Sequence, residues 1–474
     1  MNREMSLKIS RPRKTVVARA WGWCGAVAVS ALIFVGLNPA AAQTPNESAA
    51  ALVFNGGGHV SLDLVNLLLE RQIFQKQLVS DEVAGARTYA ETTTQGRLRA
   101  EFIPNADRGV IDFRMIGALT APNATATRRS VTVHMASQTS IDARKRVVIT
   151  PDGLFPGSSQ ADCNTDTQIL NVEADRRLIE RLGWRRAEKL RPEAEQSASN
   201  QVAQRVETEL DQQAKGPLAG AHRFYLDKMR LPLVNCGGFP RDIRVSTTAS
   251  HLEVRLLAQR PGQLPTSASM PRLNPQLDIH VCAHESLVSN MAEPLVGGKT
   301  FNDKQFLEVM RIMTGSAERG LWVFDGRDRW NVTFAAERPI QARFQDGSFR
   351  LTYRFQAATC GNDSVEAPLE ASGLYRPMIG TDGVYLVRES IPTVLYTDKA
   401  PVEDARERVL KQLSERFGAF FQTEIYFDGL SPPAGGTWAK LRDLKLVELT
   451  SENGWFSIGY ELNEPSKVAS QPKN

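Results

Sequence analysis

The sequence predicts an α+β protein: two halves of antiparallel sheet packed with amphipathic helices, plus one long polar helix. Two patterns lead to this class. Alternating apolar segments separated by turn dipeptides predict hairpins, and segments with helical apolar spacing predict helices. The chain has 474 residues, enough for two or three domains. Its 42% hydrophobic and 23% charged residues exclude a disordered, collagen-like or disulfide-knot protein.

Residues 1–42 predict a secretory signal peptide. Six basic residues and one acid accompany the uncharged stretch Ala20–Leu37, which is followed by Ala40-Ala41-Ala42. This order is typical of a signal cleaved after its last small residue, so we expect a secreted or periplasmic protein. The alternative is an uncleaved anchor, because about 18 apolar residues just span a bilayer. No later segment is apolar and long enough to be transmembrane.

Cleavage would also change the charge of the protein. Losing six basic residues and one acid takes the formal net charge from +4 to −1. Global charge therefore gives no reason to expect a nucleic-acid partner.

Four cysteines remain after residue 42, and an even number in an exported chain predicts disulfides. They are Cys163, Cys236, Cys282 and Cys360. Three pairings are possible. The pairing Cys163–Cys236 with Cys282–Cys360 is favoured because each bridge then stays within one half of the chain.

The N-terminal domain is predicted to span residues 43–256. Ser61 is placed to cap a helix over 61–76, which would carry Leu64, Val65, Leu68 and Phe74. Strands follow over about 97–149. Val131–Met135 shows the period of two that is expected when one face of a strand is buried.

A long helix is predicted over 172–213. Its apolar residues recur at every fourth position: Leu190, Ala194, Ala198, Val202, Val206 and Leu210. Polar residues lie between them, which predicts a narrow apolar stripe on a polar helix. We interpret this helix as lying across a sheet. A coiled-coil dimer seam is the alternative, although the spacing drifts away from a heptad.

A proline-rich linker is predicted over 257–276, before a C-terminal domain over 277–463. Its expected elements are a strand at Leu277–Ala283, helices near Ser286–Ala292, around Phe306–Met313 and over 402–420, and closing strands at Leu444–Leu449 and Trp455–Leu462. Asp-Gly and Asn-Gly pairs predict hairpins at Asp325, Asp346, Asp382 and Asn453. Trp330 and Phe334 are expected in the core, and 464–474 is expected to be a disordered tail.

The candidate chemistry lies in His280, Cys282 and His284. In a strand, alternate side chains share a face, so these three would project together with Asp278. Imidazole and thiolate are zinc ligands. Same-face neighbours are, however, about 7 Å apart along a strand, which is wide for one ion. No metal, cofactor or catalytic residue is therefore assigned. Whether the protein is an enzyme stays open, although a role without catalysis is favoured.

One pattern in the chain consists of Val281, His284-Glu285-Ser286-Leu287, Asn290, Gly298-Lys299-Thr300, Trp330, Val332-Thr333-Phe334 and Pro339-Ile340. In this pattern the sequence resembles a group of secreted bacterial proteins known from planctomycete-type genomes. The group has no assigned activity, so the resemblance transfers no functional residue.

The predicted architecture also resembles tubular lipid-binding domains, in which curved antiparallel sheet wraps an apolar helix. That resemblance implies a groove for acyl chains between helix and sheet. The helices at 61–76 and 402–420 are apolar enough to fill such grooves themselves.

These observations favour an exported, non-catalytic protein of the cell envelope with a binding or structural role. An apolar or lipid-like molecule is the first expected ligand, and its partners are otherwise unknown. The alternatives are a metal-dependent or Ser/His hydrolase, and an assembly module that acts through the long helix.

Overall fold

The computed structural model describes residues 54–69, 71–83, 85–306, 330–380, 383–401, 403–427, 441 and 444–463. The predicted signal peptide and tail, and Val309, Met310, Met313, Asp325-Gly326 and Asp382, lie outside these residues. Within them, antiparallel strands form three sheets packed with helices, which confirms the α+β class.

In chain order the strands are β1 (Gly56–Ser61), β2 (Arg71–Val83), β3 (Ala86–Phe102), β4 (Gly109–Arg128), β5 (Val131–Thr150), β6 (Gly153–Ala174), β7 (Asp242–Thr247), β8 (His251–Leu257), β9 (Ile279–His284), β10 (Thr300–Asn302), β11 (Trp330–Phe334), β12 (Ile340–Gln345), β13 (Ser348–Cys360), β14 (Asp363–Val365), β15 (Leu369–Ile379), β16 (Val384–Arg388), β17 (Thr393–Tyr396), β18 (Glu424–Phe427), β19 (Leu444–Glu452) and β20 (Trp455–Leu462). The helices are α1 (Leu62–Leu69), α2 (Arg177–Tyr225), α3 (Leu231–Asn235), α4 (Glu285–Val296) and α5 (Asp404–Phe420). A π-helix, Leu226–Arg230, joins α2 to α3.

The first sheet contains β2 to β6 in sequence order, each strand paired with the next. Its strands β4, β5 and β6 have 20, 20 and 22 residues. At about 3.3 Å per residue they are roughly 66–73 Å long. Helix α2 has 49 residues, and at 1.5 Å per residue it is about 74 Å long. Helix and strands therefore match in length.

Helix α2 lies along the edge strand β6 and also reaches the opposite edge strand. There the Gln201 side-chain amide donates a hydrogen bond to the carbonyl of Glu82, which is in β2. Since one helix contacts both edges, the sheet curves around it. The interpretation of the 172–213 pattern as a helix across a sheet is confirmed, with the helix beginning at Arg177 and ending at Tyr225.

Side chains of α2 accept hydrogen bonds from the free backbone edge of β6. Asp211 accepts from the amide of Ser159 at 3.1 Å, and Glu207 accepts from that of Ala161 at 2.9 Å. Farther along, Ser199 Oγ accepts from Thr165 at 3.0 Å, and Glu195 accepts from Thr167 at 2.9 Å. We call Glu195, Ser199, Glu207 and Asp211 the acceptor ladder. It satisfies an edge that would otherwise be free to pair with another strand.

The six-stranded sheet has the order β19-β20-β9-β1-β8-β7. It joins β1, β7 and β8 of the predicted N-terminal domain to β9, β19 and β20 of the predicted C-terminal domain. The segment predicted as a linker lies beside this sheet, where Met270 and Leu273 pack near Cys282 and Trp455. Strands from both sides of residues 257–276 thus share one sheet, and the predicted domain boundaries stay a prediction.

The nine-stranded sheet carries an aromatic core against α5. Phe417 and Phe421, at the end of that helix, are buried with Trp330, Phe334 and Tyr353. The prediction that Trp330 and Phe334 are core residues is confirmed. The expectation that the helix over 402–420 fills its own sheet is confirmed too, since Val409 and Leu413 are fully buried in the same cluster.

Two of the predicted hairpin turns are present among the described residues. Asp346 and Gly347 have φ of 53° and 73°, and Asn453 and Gly454 have φ of 53° and 79°. Two consecutive residues with positive φ are typical of a type I′ turn.

The helix predicted over 61–76 is shorter than expected. Ser61 Oγ accepts from the amide of Leu64, as predicted for a cap, but α1 ends at Leu69. Phe74 lies in strand β2 with 63% of its surface exposed. The Arg71–Val83 segment instead pairs along its whole length with β3, and this long-range pairing overrides the local helical spacing.

Candidate functional site

The predicted site residues lie in the six-stranded sheet. His59 of β1 is directly opposite His280 of β9, and the ring of His59 is 4.3 Å from that of His251. His280 Nε2 lies 3.6 Å from Cys282 Sγ and 3.4 Å from a carboxylate oxygen of Glu448. The sheet therefore gathers histidines from three strands, and the sequence analysis anticipated only those of β9.

Hydrogen bonds occupy most of the nitrogen and oxygen atoms of these groups that could bind a metal ion. The Asn274 amide donates to His280 Nδ1 at 2.8 Å. His284 Nδ1 accepts from the Ser286 amide at 3.1 Å, and its Nε2 lies 3.0 Å from Ser267 Oγ. Asp278 accepts from the Ser61 hydroxyl. Among the described residues, no group of three His, Cys, Asp or Glu side chains is arranged to hold a metal.

Burial favours the neutral forms of three of these histidines and of the Cys282 thiol. It lowers the pKa of His59 to about 3, assisted by the neighbouring His251, and lowers that of His284 to about 4. Burial likewise lowers the pKa of His280, against the opposing effect of Glu448. It raises the pKa of the Cys282 thiol to about 11, so no reactive thiolate is present at neutral pH. We interpret these histidines and Cys282 as a packed, hydrogen-bonded part of the six-stranded sheet.

In the described part of the chain, none of these four cysteines forms a disulfide, so the predicted bridges Cys163–Cys236 and Cys282–Cys360 are not found. The fold explains why. Cys282 faces Leu273 and Trp455, whereas Cys360 belongs to the aromatic core beside α5. Cys163 lies in β6 and packs towards α2, whereas Cys236 follows α3.

A groove lies elsewhere, between α2 and the five-stranded sheet. It has a volume of about 520 Å³, within the range of about 300–1,000 Å³ usual for small-molecule sites. On the helix it is lined by Leu190, Ala194, Ala198 and Val202, which are residues of the predicted apolar stripe. On the sheet, alternate residues of β5 face it, including Val131, Val133 and Met135.

Small side chains create this groove. The helix contributes Ala187, Ala194 and Ala198, and the sheet contributes a larger set of small residues: Ala86, Ala90, Ala121, Ala124, Ala126, Ser137, Thr139, Thr165 and Thr167. Helix and sheet cannot close the space between them with side chains of this size. Farther along, Met115 and Ile141 meet Val206 and Leu210, and these larger residues narrow the interior to a cavity of about 60 Å³.

The floor of the groove is apolar although it contains hydroxyl groups. Thr139 and Thr165 are paired across β5 and β6, with their hydroxyl oxygens 2.9 Å apart. The Thr92 hydroxyl donates to the carbonyl of Gln77. Since these hydroxyls have partners, the threonines can offer their methyl groups to the groove.

One end of the groove is positively charged. Arg128 and Arg129, from the turn between β4 and β5, line it together with Arg186 of α2. Arg191 and Arg205 line the groove farther along α2, and the Arg191 side chain lies 3.7 Å from the Glu195 carboxylate. An apolar channel with three arginines gathered at one end suits a molecule with an apolar tail and an anionic head.

The sequence analysis identified the helical stripe but not the arginines. The signal available was the Arg128-Arg129 pair, which precedes the alternating segment that begins at Val131. Only the pairing of β4 with β5 shows that this turn and Arg186 meet at the same end of the groove.

Comparison with known proteins gives limited results. No protein-family model and no curated sequence matches the chain, so nothing there supports the planctomycete-type resemblance. Among solved structures, a lipopolysaccharide binding protein aligns with a TM-score of 0.28 and 8% identity, over 87% of this chain and 99% of that one. P47 from Clostridium botulinum A2 aligns with a TM-score of 0.23 and 9% identity, over 86% and 97%. At such low TM-scores neither likeness bears on function.

No helix in the described part of the chain combines the length and the hydropathy needed to span a bilayer.

Proposed function

We propose that this protein binds a lipid-like molecule in the groove between α2 and the five-stranded sheet. The observation that supports the proposal most strongly is the groove itself, about 520 Å³ in volume and lined by small apolar side chains. Empty apolar surface of this kind is unfavourable in water, and an apolar tail would cover it.

The distribution of apolar and charged residues along the groove also predicts how the ligand is oriented in it. The tail would lie along Ala194 and Ala198, towards the narrower end near Met115 and Ile141. The headgroup would lie near Arg128, Arg129 and Arg186. We therefore propose an anionic head, either a carboxylate or a phosphate, because guanidinium groups bind both.

We further propose that the protein works in the cell envelope without catalysis. The support for an exported location is the signal-like pattern of residues 1–42. In that location a groove protein would hold or carry a lipid-like component of the envelope.

The first test is mass spectrometry of the protein purified from a host that exports it. A native mass that exceeds the denatured mass by the size of a lipid would support the proposal, and extraction would identify the molecule. The proposal would be contradicted if the native mass showed no lipid, both as isolated and after incubation with a fatty acid or phosphatidylglycerol in mild detergent.

A further inference from the structure

The start of α2 exposes large apolar side chains to solvent. Leu178 is 74% exposed and Leu182 is 60% exposed, and Trp184 on the same segment is 36% exposed. Leu178 and Leu182 are four residues apart, so they lie one turn from each other on one side of the helix. Side chains of this size are normally buried, and two adjacent exposed leucines mark a surface that contacts something else.

Strand pairing places two hairpin turns beside this helix start. Val131 pairs with Ala174, just before α2, and Arg128 pairs with Val131. On the other side Arg87 pairs with Thr127, which brings the turn at Gly85 to the same end. We call residues 85–87, 128–131 and 173–186 the tip.

The tip is strongly basic. It contains eight arginines, all exposed: Arg87, Arg128, Arg129, Arg176, Arg177, Arg181, Arg185 and Arg186. Its acids are Glu173, Asp175 and Glu180, and Asp81 and Glu82 adjoin it. None of the ion pairs formed within the described part of the chain involves any of the eight arginines.

We propose that the tip docks on a bilayer that contains anionic phospholipids. Arginines would lie among the headgroups, where each basic residue near an anionic surface strengthens binding. Leu178, Leu182 and Trp184 would enter the boundary between headgroups and acyl chains, as in interfacial amphipathic helices. A second copy of the chain is a poorer partner for the tip, because two such arginine clusters would repel each other.

The position of the tip connects it to the groove. Arg128, Arg129 and Arg186 belong to both, so the charged end of the groove opens at the surface that would face the lipid. Docking does not depend on the proposed function, since the tip could hold the protein on a membrane whether or not the groove takes up a lipid.

The test is cosedimentation of the full chain with vesicles of equimolar phosphatidylcholine and phosphatidylglycerol. We expect binding that is much weaker to pure phosphatidylcholine and that falls as salt is added. The L178S/L182S variant should bind about tenfold more weakly or worse. The R176Q/R177Q/R181Q variant should lose roughly 10- to 100-fold in affinity.

The matched control is I391S/L395S, which replaces two exposed apolar residues far from the tip, 83% and 46% exposed. It should bind like the wild type. Vesicles that contain brominated lipid should quench the fluorescence of Trp184. The quenching should be smaller in W184F, and this difference reports contact between the tip and the lipid. The variants should keep the wild-type thermal midpoint.

The proposal would be overturned by equal binding to neutral and anionic vesicles, by wild-type binding of L178S/L182S, or by no change of quenching in W184F. It would also be overturned if L178S/L182S turned a wild-type dimer into a monomer, because the leucines would then contact a second copy. Loss of vesicle binding alongside retained lipid in the native mass spectrum would reject the docking tip and leave the proposed function intact.

Discussion

At the scale of single residues, the buried histidines show how the sheet fixes a protonation state. His59 is only 3% exposed and His284 only 1%, so the sheet offers little water to a charged imidazole. Their pKa values in the folded protein, about 3 and about 4, lie below the value of roughly 6.5 expected in the unfolded chain. Folding therefore requires these rings to stay neutral.

We predict that stability falls as the pH is lowered below about 6.5. Between that pH and the folded-state pKa, the unfolded chain binds a proton that the folded protein does not, which costs up to about 1.4 kcal/mol per pH unit and histidine. The stability contribution is complete above the unfolded pKa, and for His59 it decreases towards pH 3. Urea unfolding at a series of pH values measures this slope.

The variant for this measurement is H59Q, and its matched control is V60A, which truncates the next buried residue of β1 without removing a titratable group. V60A should lower the stability but leave the slope between pH 6.5 and 5 unchanged. H59Q should reduce the slope even if it also lowers the stability at neutral pH. A wild-type slope of zero in this window, or the same slope in H59Q, would refute this account of the cluster.

At the scale of elements, the acceptor ladder explains how a polar helix is held on a strand edge. Four helical residues rise about 6.0 Å and two strand residues about 6.6 Å, so side chains at every fourth position of α2 match every second amide of β6. The ladder skips one such position, Ala203, which has no acceptor. Glu195, Ser199, Glu207 and Asp211 each follow a residue of the apolar stripe. One helix thus presents an apolar line to the groove and, beside it, a line of acceptors to the edge.

We predict that E207A loosens this contact. The Ala161 amide loses its acceptor, and an unpaired amide at this partly buried site costs about 1 kcal/mol or more. Hydrogen exchange at Ala161 should become about tenfold faster. E193A, which changes an exposed glutamate of the same helix, is the control and should not alter exchange. Unchanged protection of Ala161 in E207A would contradict the role of the ladder.

The sequence predicted elements well where local patterns decide them and less well where distant pairing does. The Asp346-Gly347 and Asn453-Gly454 turns, the Ser61 cap and the long helix depend on neighbouring residues, and all are present. Phe74 has helical spacing but lies in a strand, because β3 pairs with the segment around it. The acceptor ladder shows a spacing of four, yet its meaning depends on β6 lying alongside.

At the scale of the whole molecule, the nine-stranded and five-stranded sheets differ in how the space between sheet and helix is filled. The nine-stranded sheet is filled by Phe417, Phe421 and the other aromatics around α5. The helix over 61–76 was expected to fill a groove of its own, but α1 packs at one end of the five-stranded sheet, beside Ala100 of β3, and against Val60 of the six-stranded sheet. The helix that lies across the five-stranded sheet is α2, whose alanines leave the groove open.

The groove was therefore only partly predictable. The stripe from Leu190 to Leu210 was visible in the sequence, as was the alternation of Val131–Met135. That these two surfaces face each other follows from the β5–β6 pairing and the position of α2, which no local pattern contains. The histidines of β1 and β8 were missed for the same reason, since only the sheet brings them to His280.

The measurement that tests the central claim most directly is binding of cis-parinaric acid, a fluorescent fatty acid, to the wild type, A198W and A219W. Ala198 lines the groove, whereas Ala219 is exposed on the same helix away from it. We predict that the wild type and A219W bind alike, and that A198W binds about tenfold more weakly or not at all while keeping its thermal midpoint. Equal binding by A198W, or no binding by the wild type, would contradict a lipid-binding groove.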